Sequence, residues 1–292
     1  MLRTLLYFLA LFTLSTSSVW AKLNHMPVEV LGLYRLGIAA VLLFFWIVII
    51  KKTPFPKLSQ AHAWVILSGF LFFLHLWTFK YAAKNTTISN GMILFSSNPV
   101  WASIGAVFFF KERLNPRLYL SYFMALLGVY LLVAPELSLG QGINKGDLSS
   151  LFSAVFFALY MLTGKKARQY FSNNFYALGQ YFICALFFWL CMLYTGSDFI
   201  GYDDTSWWAV AGLVLLPTFF GHFTMTYLVP HMNLSIMTCG KLIEPVLASV
   251  IAANVFNEKL SANAPLAFAL TSLSVLILFL PNLKIYLLKL KP

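Results

Sequence analysis

Few ionisable residues could perform chemistry in this chain, and most of them are embedded in long apolar stretches. Lys241 and Glu244 stand three residues apart, so on a helix they share one face and can form an ion pair. Such a pair could open to bind a zwitterion, with Lys241 taking a carboxylate and Glu244 an ammonium group. Glu244 could instead bind and release a proton, as a coupling group does in a membrane carrier.

Histidine, asparagine and arginine side chains also fall within apolar segments. His75 and His222 could couple a process to protons, because histidine changes its charge near neutral pH. The alternative is that each is a buried hydrogen-bond partner. Asn98 could donate a hydrogen bond to a ligand or to the backbone carbonyl that Pro99 leaves free. For Arg35, near one end of its segment, we expect a structural tie to another helix, with ligand contact as the alternative.

The aromatic content is high, with 29 Phe, 14 Tyr and 8 Trp residues. Most phenylalanines are expected to face lipid or to pack between helices. Rings in segments that surround a cavity could form a cage for a cation or a platform for a flat ligand. Packing alone explains each ring taken singly, but as a group they favour an aromatic, purine-like or quaternary-amine ligand. These rings are Trp20, Trp77, Trp101, Tyr81, Tyr160 and Tyr227.

Several chemistries are disfavoured by the motifs that the sequence lacks. It contains no His-Glu-x-x-His zinc motif and no Gly-x-Ser-x-Gly nucleophile motif. The cysteines at positions 184, 191 and 239 lack the spacing of metal ligands or of a disulfide framework. We therefore expect no metal site and no cofactor, and an intramembrane enzyme is the disfavoured alternative.

The elements that position these residues are membrane helices. The chain has 292 residues, of which 60% are hydrophobic and 10% charged, whereas a soluble domain has roughly 25% charged residues. A helix needs about 20 apolar residues to cross the hydrocarbon core. The apolar runs predict an all-α membrane protein with ten transmembrane helices. The predicted segments are residues 4–21, 28–50, 60–83, 86–110, 118–134, 147–164, 175–195, 206–229, 232–256 and 264–281.

The charge distribution predicts an orientation. The net charge is +11, and most lysines and arginines fall in loops on the side of the N-terminus, which the positive-inside rule assigns to the cytoplasm. We expect a multi-pass inner (plasma) membrane protein with both termini cytoplasmic. Its basic residues form no stripe that would bind nucleic acid. The first segment follows Arg3 as a signal peptide would, but we expect a retained helix.

The two halves of the chain are related by a repeat. A shift by half of the chain length aligns part of one half with the other without a gap. Each half would contain five segments, an odd number, so the second copy must be inverted. Inverted repeats are typical of secondary transporters, with the site near the midplane between the repeats. We therefore predict two inverted five-helix repeats, residues 1–135 and 146–292, around a central cavity. The rarer residues that coincide are Tyr81 with Tyr227, Pro99 with Pro245, and Glu112 with Glu258.

Two prolines are predicted to lie in the interior of segments four and nine. Pro99 and Pro245 would each remove a backbone hydrogen bond and kink a helix. In a membrane the freed carbonyl must face protein or a wet cavity. Their equivalent positions favour a kink beside the cavity, with a simple packing kink as the alternative.

Two stretches of the repeat carry a family resemblance, and shorter agreements occur at Tyr34-Arg35-Leu36 and Gly146-Asp147-Leu148. The two stretches run from Asn98-Pro99-Val100 to Glu112-Arg113-Leu114 and from Glu244-Pro245-Val246 to Glu258-Lys259-Leu260. With them the chain resembles the drug/metabolite transporter superfamily, specifically its EamA-type members. The resemblance implies ten helices around a cavity lined by segments one, three, four, six, eight and nine. It also implies alternating access by rocking of the halves.

The resemblance leaves the substrate open, because members of the family carry amino acids, nucleotide-linked compounds, quaternary amines and other small metabolites. His75, His222 and Lys241 depart from the family pattern. We expect a secondary transporter of a small organic metabolite, with export of an amino acid or related compound favoured. The alternative is uptake of a nucleotide-like or quaternary-amine compound such as S-adenosylmethionine or choline. Protons are the candidate coupling ion, and the protein is expected to be a monomer or a homodimer.

Overall fold

The computed structural model describes residues 2–86, 91, 94–113, 116–134, 144–257 and 262–289. All regular secondary structure within these ranges is helical. The α-helices are α1 Leu2–Ser15, α2 Ser17–Leu23, α3 Val28–Phe45, α4 His62–Asn85, α5 Asn98–Phe110, α6 Pro116–Val133, α7 Lys145–Ala167, α8 Asn173–Thr195, α9 Asp204–Leu213, α10 Thr224–Leu228, α11 Leu234–Gly240, α12 Glu244–Phe256 and α13 Ala264–Lys289.

Many of these helices are long and apolar enough to cross a membrane. In the described ranges, 7 helical segments meet this criterion, and the helices Asn98–Phe110 and Ala264–Leu278 are apolar but shorter. Large apolar side chains are exposed along their outer faces, as lipid contact requires. Ten spanning helices therefore remain a prediction. The long segments are Leu2–Leu23, Val28–Ile50, His62–Ala82, Lys145–Ala167, Asn173–Thr195, Asp204–His231 and Leu234–Phe256.

A wide helical turn joins α9 to α10 and carries a proline. The π-helix Val214–Phe223 contains Pro217, which has no N–H to donate to the helix. The hydroxyl of the next residue, Thr218, donates to the backbone carbonyl of Leu213 at 2.8 Å. The helical segment continues past the proline to His231.

Contacts between early and late parts of the chain hold the bundle together. Helix α4 packs most extensively against α7, α3 against α8, and α6 against α13. Helix α1 packs against the π-helix Val214–Phe223, and α5 contacts α11. Each of these pairs joins a segment before residue 135 to one after residue 144, so the two parts interlock. The largest fully buried side chains include Tyr7, Phe72, Phe157, Tyr176, Tyr181 and Phe188.

Helices α5 and α12 have the same length and the same ends. Both contain 13 residues, and their bounds differ by half of the chain length. Each ends at a left-handed residue, Lys111 in one case and Asn257 in the other, both with φ of 53°. A turn precedes each helix, and Pro99 and Pro245 stand in the first turn. Pro245 thus lies in the interior of the span Leu234–Phe256, as predicted. A turn interrupts the helix just before each proline, where the sequence predicted a kink.

Candidate functional site

A buried ion pair marks the interruption between α11 and α12. Residues Lys241–Ile243 form a 3-10 turn there, and the Nζ atom of Lys241 lies 2.6 Å from Oε1 of Glu244. The side chain of Lys241 is 7% exposed and that of Glu244 is 19% exposed. The same Nζ atom lies 4.9 Å from the ring centre of Phe157, which provides a cation–π contact. The spacing of the two residues predicted this pair.

Six rings from α4, α7 and neighbouring segments form a buried group beside this ion pair, which we call the central aromatic cluster. The rings of Phe72 and Tyr160 lie 4.9 Å apart, and those of Phe157 and Tyr160 lie 5.0 Å apart. Phe157 therefore connects the cluster to the ion pair. Five of the six side chains are buried, and that of Phe95 is partly buried. The cluster consists of Phe72, His75, Phe95, Phe157, Tyr160 and His222.

The two predicted histidines both belong to the cluster. Nδ1 of His75 lies 2.9 Å from Oγ of Ser153, and the Ser153 hydroxyl donates to the backbone carbonyl of His75 at 3.1 Å. This double contact ties α4 to α7. Nδ1 of His222 lies 3.4 Å from the hydroxyl of Tyr160. Both imidazoles thus have hydrogen-bond partners within the protein. This geometry fits the alternative interpretation, in which each histidine is a buried hydrogen-bond partner.

Arg35 is buried at the edge of the cluster, and its guanidinium is only partly satisfied. Its Nε atom donates to the Thr218 hydroxyl at 2.9 Å, and Tyr181 donates to the Thr218 backbone carbonyl at 3.3 Å. One terminal guanidinium nitrogen, Nη2, has no hydrogen-bond partner. Arg35 therefore ties α3 to the π-helix and also presents a free donor.

Asn98 presents an unpaired hydrogen-bond acceptor, whereas Arg35 presents an unpaired donor. Its amide nitrogen donates to the backbone carbonyl of Phe95 at 2.9 Å. Its Oδ1 atom is buried and has no partner, and the residue is 2% exposed. Phe95 stands four residues before Pro99, so this bond is the predicted donation to the carbonyl that the proline leaves free. The unpaired Oδ1 atom is available to a ligand as an acceptor.

Tyr160 is the one ring of the six predicted aromatic residues that the structure places in the cluster. Trp20 packs over Gly212, and Trp77 packs against Phe73 and Phe188. The remaining three side chains are exposed, and the Tyr227 ring faces His231 at 5.7 Å. These exposed rings are Trp101, Tyr81 and Tyr227.

The sequence reading missed three residues that shape the site. Phe72 and Phe157 form the middle of the cluster, but nothing distinguishes them by type among 29 phenylalanines. Tyr7 is fully buried and donates to the backbone carbonyl of Met237 at 2.7 Å. Its charge environment includes Glu244. A polar ring in the middle of an apolar segment was a signal that could have singled out Tyr7.

A second polar group lies where α5 ends. The Glu112 carboxylate pairs with Lys165 and accepts the backbone N–H of Leu234, the first residue of α11, at 3.1 Å. The Nζ atom of Lys165 also lies 5.0 Å from the ring centre of Phe110. This group therefore joins the ends of α5 and α7 to the start of α11. At the corresponding end of α12, the Nζ atom of Lys22 lies 4.6 Å from the ring centre of Phe256.

Among the described residues, no three His, Cys, Asp or Glu side chains are grouped in a way that could hold a metal ion. A groove of about 320 Å³ lies away from the cluster, and its lining is largely apolar. The lining includes Phe44, Phe55, Val65, Phe171, Phe175 and Phe182.

Comparison with protein families decides the class of the molecule. A model of the EamA-like transporter family matches residues 1–134 and 144–280. The chain belongs to the EamA-like transporter family. It is therefore a multi-pass membrane protein of the drug/metabolite transporter superfamily, and the resemblance seen in the sequence is confirmed.

Individual relatives of this EamA-like transporter agree with the family. A protein of Archaeoglobus fulgidus, described as an uncharacterized transporter, is 27% identical over 209 residues, which cover 70% of this chain and 72% of that protein. A crystal structure of another protein is similar with a TM-score of 0.82 and 18% identity, covering 97% of this chain and 98% of that chain. At that identity the similarity shows a shared fold alone.

Proposed function

We propose that this chain is a secondary transporter that binds a small organic metabolite at the central aromatic cluster and moves it by alternating access. The observation that carries the proposal is the buried ion pair of Lys241 and Glu244, which lies at an interrupted helix and against the ring of Phe157. Interrupted helices near the middle of a bundle are where carriers place their substrate and ion sites. Charged side chains are otherwise costly in that position.

We propose further that ten spanning helices form two inverted five-helix repeats. Helices α5 and α12 support this division, because their bounds are offset by half of the chain length and each helix ends at a left-handed residue. The packing pattern supports it too, because the contact of α4 with α7 and that of α1 with the π-helix are equivalent under the repeat. The contacts of α3 with α8 and of α6 with α13 each map onto themselves. This is the pattern that a pseudo-twofold axis in the membrane plane produces.

The Glu112 group closes one end of the pathway in this proposal. Glu112 holds Lys165 and the first N–H of α11, so three segments that surround the cluster meet there. The orientation predicted from the basic loops puts this end at the cytoplasmic side. Opening toward the cytoplasm then requires Glu112 to release Lys165 or Leu234. The contact of Lys22 with Phe256 occupies the corresponding place at the outer end.

The substrate favoured by this site is an amino acid or a related compound. The ion pair offers one cationic and one anionic group, and the cluster offers flat apolar faces for a side chain. The predicted substrate-binding residues that meet at this place are Lys241, Glu244, His75, His222, Asn98 and Tyr160. Export across the inner membrane remains our proposed direction. Glu244 is the proposed proton-coupling group, since protonation would release Lys241 from the pair.

A nucleotide-like or quaternary-amine substrate is the second candidate. The stacked geometry of His75 and Phe95, with ring centres 5.6 Å apart and an interplanar angle of 23°, offers a place for a flat ring. The cationic groups Arg35 and Lys241 argue against a quaternary amine, because like charges would be brought together in a buried site.

The test is ligand-induced thermal stabilisation of the purified protein in detergent, with amino acids, nucleosides, S-adenosylmethionine and choline. We expect an amino acid to raise the Tm of the wild type and of Phe108→Leu, whose ring is exposed on the outer face of α5. The same compound should not raise the Tm of Phe157→Leu, because the ring beneath Lys241 is lost. Equal stabilisation of both variants would place the ligand outside the cluster.

A further inference from the structure

Arg35 combines deep burial with an unsatisfied donor. The residue is 5% exposed, and Nε alone is engaged by the Thr218 hydroxyl. Nη2 is buried and has no partner. Within the described part of the chain, no carboxylate lies within ion-pair distance of Arg35. A buried guanidinium normally acquires a counter-ion, and one without it is an incomplete site.

The surroundings of this guanidinium belong to the interior of the bundle. Thr218, which accepts from Nε, lies four residues before His222 of the central aromatic cluster in the π-helix. The Thr218 backbone carbonyl accepts from Tyr181, whose ring centre lies 6.5 Å from that of Phe72. The 5% exposed Arg35 is therefore enclosed by protein. A tie between helices would use the whole guanidinium, but the tie to Thr218 uses one nitrogen.

The charges around the cluster do not balance. Lys241 has Glu244 as its partner at 2.6 Å, so this pair is neutral as a unit. Arg35 adds one positive charge without a matching acid in the described residues. A ligand that enters with a carboxylate would supply the missing charge. Because the guanidinium is planar and holds several N–H donors, it matches the two oxygens of a carboxylate.

We propose that Arg35, rather than Lys241, binds the carboxylate of the substrate, so that the substrate class is an organic carboxylate with an N–H donor. The free Oδ1 of Asn98 accepts that N–H, and the central aromatic cluster packs against the body of the molecule. This inference rests on the proposed transport function and names the group that recognises the substrate. Lys241 and Glu244 are then left for coupling.

The first test separates a ligand site from a structural tie without any ligand. Arg35→Met removes an uncompensated buried charge together with its hydrogen bond to Thr218, so the Tm of the ligand-free protein should be unchanged or higher if the charge is the larger effect. Thr218→Val removes that same hydrogen bond, leaves the charge in place and also removes the bond to the Leu213 carbonyl, so its Tm should fall. A Tm for Arg35→Met as low as that of Thr218→Val would show that Arg35 is a structural tie and would overturn the proposal.

The second test uses pairs of probes that differ in charge and not in shape. Phenylalanine is compared with phenylalaninamide, and N-acetylphenylalanine with N-acetylphenylalaninamide, at equal ionic strength and by thermal stabilisation; each pair keeps the N–H donor and replaces the carboxylate by an amide. Wild type and the exposed control Arg117→Met should prefer the carboxylate of at least one pair. Arg35→Met should lose at least tenfold in apparent affinity for that carboxylate. Loss of the preference in Lys241→Met alone, with Arg35→Met unchanged, would assign the carboxylate to Lys241.

The outcomes distinguish this inference from the function on which it rests. If the wild type binds and exchanges only neutral or cationic compounds, the transport function stands and the carboxylate assignment is wrong. If folded wild type exchanges no compound of any class in liposomes, the proposed function itself is contradicted. Retention of carboxylate preference by Arg35→Met overturns the assignment in either detergent or liposomes.

Discussion

Phe110 and Phe256 occupy equivalent positions in the two halves of the chain, and each lies beneath a lysine from another helix. The Nζ atom of Lys165 lies 5.0 Å from the first ring, and that of Lys22 lies 4.6 Å from the second. The two lysines come from the helices that the repeat relates. Under an inverted repeat these contacts lie at opposite ends of the substrate pathway, where each can close one side.

We predict that Glu112→Gln opens the end of the pathway beside Lys165. The neutral amide loses the ion pair with Lys165 and weakens the contact with the Leu234 N–H. Cys239 on α11 is 1% exposed, so its alkylation by N-ethylmaleimide reports opening. In a background where the other two cysteines are serine, we expect the alkylation rate to rise several-fold, as measured by intact mass.

Glu29→Gln is the matched control for this experiment. Glu29 accepts hydrogen bonds from Ser197 at 2.6 Å and from Thr195 at 3.0 Å, a separate polar group far along the chain from α11. The rate of Cys239 alkylation in Glu29→Gln should match that in the background protein. Equal rates in Glu112→Gln and Glu29→Gln would contradict the closing role of Glu112.

The ion pair of Lys241 and Glu244 should show strong coupling between its partners. Removal of one partner from a buried pair costs about 3–5 kcal/mol, because it leaves an uncompensated charge. Since Glu244 is 19% exposed, we expect about 3 kcal/mol for each of Lys241→Met and Glu244→Gln, the low end of that range. The double variant should be more stable than either single one. Chemical or thermal unfolding in detergent measures the three free energies, and additive losses would contradict a coupled pair.

Transport by Glu244→Gln should lose its dependence on pH. The glutamine cannot exchange a proton, so a carrier that couples protons through Glu244 becomes insensitive to the pH gradient. The measurement is the initial rate of uptake into proteoliposomes between about pH 5 and 8, the range in which a buried carboxyl group can titrate. A pH profile identical to that of the wild type would leave Glu244 a structural role only.

Gly240 should be intolerant of a side chain. A Cβ atom there would overlap the phenol oxygen of Tyr7, which is fixed by its bond to the Met237 carbonyl at 2.7 Å. We expect Gly240→Ala to lose about 1–3 kcal/mol, the usual effect of overpacking in a core. At Gly37 a Cβ atom meets only a Leu33 methyl at 3.9 Å. Gly37→Ala should therefore keep or raise the Tm, and equal losses at both glycines would refute the packing described at Tyr7.

Asp203 should give the protein a stability that depends on pH in the acid range. Hydrogen bonds from the Ser206 side chain, and also from His25, lower the pKa of the Asp203 carboxyl to about 2, from an ordinary value of 3.8. Because the folded-state pKa is the lower one, the stabilisation is complete above the ordinary value and is lost as the pH falls toward 2. Asp203→Ala should have a lower Tm than the wild type at pH 7, and the two should converge near pH 2. Asp203 precedes α9 as its N-cap residue and accepts the backbone N–H of Ser206. Asp204→Ala is the neighbouring control, and a gap at pH 7 no larger than in this control would contradict the stabilising role of this cap.

The sequence predicted the helices better than the site. Apolar length places a helix within each of the ten predicted segments in the described residues, and the spacing of Lys241 and Glu244 predicted their pair. Helix faces are less predictable, because in lipid both faces are apolar and periodicity does not separate core from surface. Trp101 and Tyr227 were for that reason expected at the site but are exposed. Phe157 was not singled out, because only its position in the fold, and not its residue type, distinguishes it from the other phenylalanines.

The free donor of Arg35 could not be derived from the sequence either. A tie to another helix was expected, and the contact with Thr218 supplies it. The unsatisfied Nη2 becomes visible only when the partners of the whole guanidinium are known. The bond from the Thr218 hydroxyl to the Leu213 carbonyl is similar, since the sequence shows both residues but not the π-helix that brings them together.

The most direct test of the central claim is counterflow in proteoliposomes that contain the purified protein. Vesicles are loaded with an unlabelled compound and diluted into the labelled one, with amino acids, nucleosides, S-adenosylmethionine and choline tested in turn. The account predicts saturable exchange of an amino acid or related carboxylate, abolished in Phe157→Leu and retained in Phe108→Leu. No exchange above that of empty vesicles for any compound, by protein that shows a cooperative unfolding transition, would contradict it.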